Sequence, residues 1–110
     1  MLYVIETLEQ YNEVIEKEDV TLFYFSHEQC NVCKVLKPKV AEMLTTEFPE
    51  AKMYYCDTKK SPELAAQNSI FAVPTILVYF GGRESIRKSR NIGINELREH
   101  IERPYSMIFD

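Results

Sequence analysis

Several features of common protein classes are missing from this sequence. No stretch approaches the roughly 18 consecutive apolar residues that a membrane-spanning helix needs, so we expect no membrane partner. The first residues lack the basic stretch and the long apolar run of a signal peptide. Three cysteines are an odd number, which argues against the paired disulfides of a small secreted protein. Together these absences predict a cytoplasmic protein in a reducing compartment.

The chain also lacks an excess of positive charge. Its 13 lysines and arginines are outnumbered by 17 aspartates and glutamates, which gives a net charge of −4. The basic residues are scattered, apart from one small cluster at Arg83, Arg87, Lys88 and Arg90. Such a cluster is typical of an edge strand that charge keeps soluble. We therefore expect no nucleic-acid partner.

The length and the hydrophobic content fit one domain with its own core. A chain of 110 residues, of which 45% are hydrophobic, can bury a core without disulfide or metal cross-links. We therefore predict a single domain over residues 1–110, with a C-terminal tail from about residue 105. The tail, Tyr105–Asp110, is unusually apolar. We expect it to dock on the body of the domain rather than on a partner.

Hydrophobic periodicity predicts nine secondary-structure elements. The predicted strands cover residues 2–5, 20–26, 51–57, 75–80 and 83–89, and the predicted helices cover 8–17, 31–47 and 62–68, with a fourth near the C-terminus. The first part of this order, βαβαβα, implies parallel strands joined by crossover helices. Gly81-Gly82 is typical of a hairpin turn between the last two strands. The pattern predicts a mixed five-stranded sheet with helices on both faces.

Local signals mark the ends of the predicted helices. Thr7 and Gln10 have the spacing of a capping box before the first helix. Pro38 falls inside the second helix and should kink it. Asn95 is expected to cap the last helix, and Pro104 is expected to end it.

A pair of cysteines, Cys30 and Cys33, lies at the junction of a predicted strand and a predicted helix. Backbone N–H groups and the positive end of the helix dipole would favour a thiolate on Cys30, so its pKa should fall. Cys33, one turn further along, could reach back and close a disulfide with Cys30. One reactive thiol and one resolving thiol are the minimum for thiol–disulfide exchange.

Other readings of the cysteines are a structural pair or a metal site. A zinc site usually needs four cysteine or histidine ligands, and only Cys56, His27 and His100 remain as further candidates. Cys56 lies in a predicted buried strand and is expected to be a small core residue. His100 falls on the polar side of the last helix, where water would surround it. We therefore expect no metal.

The element order, the C-x-x-C at the second strand–helix junction and the Ala72–Thr75 sequence Ala-Val-Pro-Thr resemble the thioredoxin family. Further matches are Lys34, Pro38, Gly81-Gly82 and Ile92-Gly93. The resemblance covers nearly the whole chain. It implies an α/β thioredoxin fold and a thiol–disulfide oxidoreductase that reduces protein disulfides.

The resemblance also implies roles for individual residues. Cys30 would be the nucleophile, Cys33 the resolving thiol and Pro74 a cis-proline beside the pair. The backbone of Val73 would pair with an extended substrate. The apolar patch that receives the substrate would comprise Val32, Ala72, Val73, Ile92 and Gly93. The implied partners are proteins with disulfides and a flavin-dependent thioredoxin reductase, and no metal or organic cofactor is needed.

Five positions depart from the family pattern. Ser26 and Gln29 stand where the family usually has tryptophan, and Asn31-Val32 replaces Gly-Pro between the cysteines. Tyr24 stands where a buried aspartate usually helps to deprotonate the resolving thiol. A phenol is a poor base at neutral pH, although it could donate a hydrogen bond to a thiolate.

These departures leave two questions open. Resolution by Cys33 could be slow, or it could use Glu28, His27 or water. The candidate modulators of the thiol pKa are His27, Glu28, Tyr24 and Lys34. The alternative function is a thioredoxin-like binding module that holds a partner at Ala72-Val73-Pro74 with little or no redox turnover.

A third possible function is metal trafficking. It predicts bound zinc or copper in the purified protein.

Overall fold

The fold is described from a computed structural model for residues 2–109. Its elements are β1 (Leu2–Val4), α1 (Leu8–Lys17), β2 (Val20–Ser26), α2 (Asn31–Glu47), β3 (Lys52–Asp57), α3 (Pro62–Gln67), β4 (Thr75–Phe80), β5 (Arg83–Ser89) and α4 (Ile94–Phe109). The strands form one sheet in the order β1-β3-β2-β4-β5. β3 runs parallel to β1 and β2, whereas β4 runs antiparallel to β2 and β5. The predicted mixed five-stranded α/β sheet is confirmed.

The central strand β2 explains why helices cover both faces of the sheet. All seven of its residues are buried. Leu22 and Tyr24 belong to one apolar cluster, together with buried side chains of α2 and α4. Phe23 and Phe25 point to the other cluster, with buried side chains of α1 and α3. A strand covered on both faces has a continuous apolar sequence rather than an alternating one.

The ends of the first helices agree with the local signals in the sequence. The capping box is present, because the Thr7 hydroxyl accepts the N–H of Gln10 and the Gln10 side chain accepts the N–H of Thr7. α2 continues through Pro38 without interruption. Most other predicted boundaries agree with the structure to within one residue.

The predicted ends of the last helix are wrong. α4 begins at Ile94, so Asn95 lies inside it; the Asn95 side chain accepts a hydrogen bond from Arg98 instead. Pro104 does not end α4, which continues to Phe109. A tertiary contact anchors α4 just after Pro104, where the centre of the Tyr105 ring lies 5.0 Å from that of Phe48.

The C-terminal tail was predicted to dock on the body of the domain, and only its first part does so. Tyr105 is half-buried, and its hydroxyl accepts the N–H of Glu50. Met107 is 78% exposed, and the side chains of Ile108 and Phe109 are also on the surface. Asp110 lies outside the described residues.

Ser69 adopts a backbone conformation that favours glycine. Its φ is +56°, and the turn after α3 closes with hydrogen bonds from Ser69 N–H to Ala66 and from Ile70 N–H to Ala65. This is the pattern of a helix C-terminus that glycine usually completes. We expect Ser69→Gly to raise the free energy of unfolding by about 0.5–1 kcal/mol, because glycine adopts positive φ without steric cost.

Urea denaturation measures this effect. Ser106→Gly is the matched control, because Ser106 lies within α4, where glycine should destabilise by about 0.5 kcal/mol. A loss of stability in Ser69→Gly equal to that of the control would contradict the assignment of strain to Ser69.

Candidate active site

Cys30 and Cys33 meet at the start of α2. Cys30 is the N-cap residue of this helix, and Cys33 lies in its first turn. The two form a disulfide with Cα atoms 5.3 Å apart, and Cys30 Sγ also accepts the N–H of Cys33 at 3.2 Å. Cys30 is partly exposed, whereas Cys33 is 1% exposed. An incoming disulfide can therefore reach Cys30 more easily than Cys33.

The electrostatic environment of Cys30 favours negative charge on its sulfur. An N-cap position faces backbone N–H groups that have no partner within the helix, and the helix dipole is positive there. The first turn of α2 carries no acidic side chain, and it includes the exposed Lys34. The local fold can therefore stabilise a thiolate when the disulfide is reduced.

Tyr24 lies beneath the start of α2. Its side chain is fully buried, and its hydroxyl donates a hydrogen bond to the carbonyl oxygen of Cys33 at 2.9 Å. Burial, with a smaller effect of neighbouring Tyr55, raises the pKa of Tyr24 well above that of an ordinary tyrosine. Tyr24 is therefore a neutral donor at physiological pH. Its partner is a backbone carbonyl rather than a cysteine sulfur, because a carbonyl oxygen is the stronger acceptor.

Removing this hydroxyl should weaken the attachment of α2 to the sheet. We expect Tyr24→Phe to lower the free energy of unfolding by about 1 kcal/mol, the usual net value of one hydrogen bond. Urea denaturation is the measurement. In the control Tyr105→Phe, the lost hydrogen bond is at the surface, and we expect a change below about 0.5 kcal/mol. Equal changes in the free energy of unfolding of the two variants would show that the buried hydrogen bond stabilises the protein no more than the surface one.

Tyr55 and Lys37 lie near Tyr24 and were not predicted as part of this site. Tyr55 is paired with Tyr24 across β2 and β3, and the two rings stack with centroids 6.4 Å apart. The Ser26 hydroxyl donates to that of Tyr55 at 3.3 Å, and Lys37 Nζ lies 3.8 Å from the centre of the Tyr55 ring. The spacing of Lys37, one turn after Cys33, is the signal in the sequence that points to this face of α2.

The loop before Cys30 contains the other predicted modulators. His27 is half-buried, its carbonyl oxygen accepts the N–H of Cys30, and no hydrogen-bond partner within residues 2–109 reaches its Nδ1. Glu28 is exposed. Gln29 accepts a hydrogen bond from Lys59, which ties this loop to the residues that follow β3. Of these side chains, His27 is the most enclosed and adjoins the cysteine backbone directly.

The loop before β4 carries the proline that sequence analysis singled out. The Val73–Pro74 peptide bond is cis, and Pro74 is buried. Its carbonyl oxygen accepts the N–H of Arg90 at 2.8 Å, which joins this loop to the segment between β5 and α4. Val73, Ile92 and Cys30 all pack against the same apolar cluster. The fold thus gathers three separate segments at one edge of the sheet.

The predicted apolar patch is divided between this loop and an open groove. Val32, Ile92 and Gly93 line the groove, whereas Ala72 and Val73 are half-buried in the loop before Pro74. Phe71, next to Ala72, is 87% exposed and was not predicted as a surface residue. Its exposure depends on the course of the loop, so no periodic pattern reveals it.

Other residues considered from the sequence lie away from this edge. Cys56 is fully buried and unpaired, as expected of a core residue, and burial raises its pKa to about 12. Across residues 2–109, no three histidine, cysteine, aspartate or glutamate side chains come close enough together to hold a metal ion. None of the described helices has both the length and the apolar character needed to cross a membrane.

Comparison with known proteins gives a consistent result. A model of the thioredoxin family matches residues 3–103. A thioredoxin-like protein of Bacillus subtilis is 27% identical over 93 residues, which cover 84% of this chain and 82% of that protein. A thioredoxin of Chlamydia trachomatis is 32% identical over 77 residues, covering 70% and 72% of the two chains.

A solved structure supports the fold. The oxidised form of mitochondrial thioredoxin 3 from Saccharomyces cerevisiae superposes with a TM-score of 0.84 at 20% identity. The superposition covers 92% of this chain and 93% of that one. At 20% identity, the superposition shows that the two proteins share a fold.

Proposed function

Because this chain belongs to the thioredoxin family and is a thiol–disulfide oxidoreductase, we propose that it reduces protein disulfides through a cycle of Cys30 and Cys33. The observation that carries this proposal is the unequal exposure of two bonded cysteines at a helix N-terminus. One sulfur is accessible for attack and the other is held beneath it. This is the arrangement that a nucleophilic and a resolving thiol require.

The proposed first step begins with the reduced pair. The Cys30 thiolate attacks one sulfur of the substrate disulfide, a mixed disulfide forms, and the other substrate sulfur leaves as a thiolate that takes up a proton. In the second step Cys33 loses its proton and attacks Cys30 Sγ. The Cys30–Cys33 disulfide forms, and the second substrate sulfur leaves. Two electrons have then passed from the cysteine pair to the substrate. The two substrate thiolates take up two protons; one replaces the proton that Cys33 released, and the other comes from water.

The proton of Cys33 needs an acceptor in the second step. Tyr24 does not serve as a base at neutral pH, because burial keeps it protonated. We propose His27 as the acceptor, directly or through water, since it is half-buried and its carbonyl oxygen is hydrogen-bonded to Cys30. Glu28, which is exposed, is the alternative acceptor. Lys34 adds positive charge near the reactive sulfur.

The substrate is proposed to bind along the three segments that meet beside the cysteines. The backbone of Val73 would pair with an extended substrate strand, while Pro74 packs beside the cysteine pair. The apolar contacts would come from Val32, Ala72, Val73, Ile92 and Gly93. These positions are half-buried or exposed, which leaves apolar atoms accessible to a substrate.

The disulfide that remains after one turnover must be reduced again. We propose that a flavin-dependent thioredoxin reductase supplies the two electrons, and that the cycle needs no metal or organic cofactor in this chain. The cytoplasm is the proposed compartment. The buried free thiol of Cys56 is compatible with a reducing environment.

Equilibration of the Cys30–Cys33 pair in thiol redox buffers tests the proposal. We expect a reversible two-electron couple with a reduction potential near the roughly −270 mV of thioredoxin. A value above about −200 mV would indicate an oxidant or isomerase instead. A pair that forms no reversible disulfide would overturn the enzymatic cycle and favour a binding module. The double variant Cys30→Ser/Cys33→Ser retains only Cys56, so any redox signal that it gives would come from that thiol.

A further inference from the structure

An open groove runs along α2 from Val32 to Lys39, on the side of the segment between β5 and α4. We refer to it as the α2 groove. Its apolar lining includes Val32, Val35 and Ile92, and its cationic lining consists of Lys39 and Arg90. Val32 and Val35 are 63% and 58% exposed, so their apolar atoms remain in water. Because Val32 lies between the two cysteines in sequence, the groove begins next to the reactive site.

The charges of the α2 groove are not balanced locally. No acidic side chain lines it. Among the described residues four other basic side chains form ion pairs, whereas neither Lys39 nor Arg90 has an acidic partner within 4.0 Å. Glu42 and Glu47 line a neighbouring depression together with Lys39, but neither forms such a pair with it; Glu47 pairs with Arg98. Two cations beside exposed valines favour an occupant that is apolar and acidic.

The backbone at Arg90 supports a functional use of its side chain. Arg90 has φ +65°, a conformation in which glycine avoids a steric cost that other residues bear. Its N–H is fixed by the hydrogen bond to the carbonyl oxygen of Pro74. Strained positions of this kind concentrate at functional sites. Here the residue with the strained backbone is a cation that lines the α2 groove.

The helix provides a scale for the separation of Cys30 and Lys39 along its axis. Lys39 follows Cys30 by nine residues, which at 1.5 Å per residue is about 13 Å along α2. An extended peptide advances roughly 3.3 Å per residue, so about four residues cover this distance. On the same scale, Val32 and Val35 lie within about two substrate residues of Cys30.

We propose that the α2 groove selects substrate proteins by the segment next to the attacked cysteine. The preferred segment carries apolar residues within about two positions of that cysteine and a carboxylate about four positions away. This inference rests on the proposed disulfide reduction. It specifies the substrates as proteins with an apolar and acidic segment next to the attacked cysteine. The carboxylate would contact Lys39 and Arg90, and the apolar side chains would cover Val32 and Val35.

Matched peptides test this specificity. Each peptide carries one cysteine joined in a mixed disulfide to 2-nitro-5-thiobenzoate, an apolar residue beside it, and either glutamate or glutamine four positions away. Separate pairs place the variable residue on the N-terminal and the C-terminal side of the cysteine. Attack by Cys30 releases the coloured thiolate, and Cys33 then releases the peptide. The measured quantity is the second-order rate constant with the reduced protein.

For one of the two pairs we expect the glutamate peptide to react about fivefold faster at low salt, which corresponds to a partly exposed pair of charges. The double variant Lys39→Gln/Arg90→Asn should bring that ratio close to one; asparagine is chosen because it tolerates positive φ. Lys17→Gln, which removes an exposed charge at the end of α1, should keep the wild-type ratio.

The outcomes separate this inference from the proposed function. Equal rates for both members of every pair, with rapid release of the coloured thiolate, would overturn the specificity of the groove and leave disulfide reduction intact. A ratio that persists in the double variant would assign the preference to other residues. If the reduced protein reacts with no peptide and does not reduce oxidised cysteamine, the proposed function fails and this inference fails with it.

Discussion

Replacing Cys30 with serine is expected to lower the rate of protein-disulfide reduction by about 10³-fold or more. A serine hydroxyl is not ionised at neutral pH, so the variant has no nucleophile at the accessible position. Cys33 cannot substitute for it, because its side chain in the first turn of α2 is only 1% exposed. The measurement is the rate at which reduced protein converts a fluorescent peptide disulfide to its dithiol in a single turnover.

Cys56→Ala is the matched control for this prediction. Cys56 is buried in β3 and is not bonded to either cysteine of the pair. The control removes a thiol from the protein without touching the proposed cycle, so its rate should stay within about twofold of wild type. If Cys30→Ser retained the wild-type rate while its circular dichroism spectrum was unchanged, Cys30 would not be the nucleophile.

Replacing Cys33 with serine should have a different effect, namely the accumulation of a covalent complex. Cys30 would still attack a substrate disulfide, but the mixed disulfide would lack the neighbouring thiol that releases it. We expect close to one substrate per protein molecule on a non-reducing gel, and mass spectrometry should place the link at Cys30. The wild-type protein should show almost none, because an intramolecular attack is much faster than release by a second molecule.

The trapping experiment has its own controls. Dithiothreitol should dissolve the complex, and the double variant Cys30→Ser/Cys33→Ser should form none. A complex in the double variant would identify Cys56 as a reactive thiol, contrary to its full burial and its raised pKa. Repeated turnover by Cys33→Ser in the absence of small thiols would exclude Cys33 from the cycle.

Local sequence patterns are sufficient to predict some elements of this fold but not others. The bounds of β2 and α2 follow from a continuous apolar run and from helical spacing, and both bounds agree with the structure. Pro104 was expected to end α4 because proline cannot donate a helical hydrogen bond. The structure overrides that rule, since Tyr105 packs on Phe48 and binds the backbone of Glu50. A tertiary contact formed across more than fifty residues has no local signature.

The same distinction applies to the candidate site. Spacing within a few residues is enough to identify the cysteine pair, its place at a helix N-terminus and the proline before β4. No such spacing predicts that Tyr24 donates to the carbonyl of Cys33 and stacks on Tyr55. The hydrogen bond between Arg90 and Pro74 also has no local signal. The physical reason is that these contacts depend on strand register and on loop closure, which the packing of the whole sheet sets.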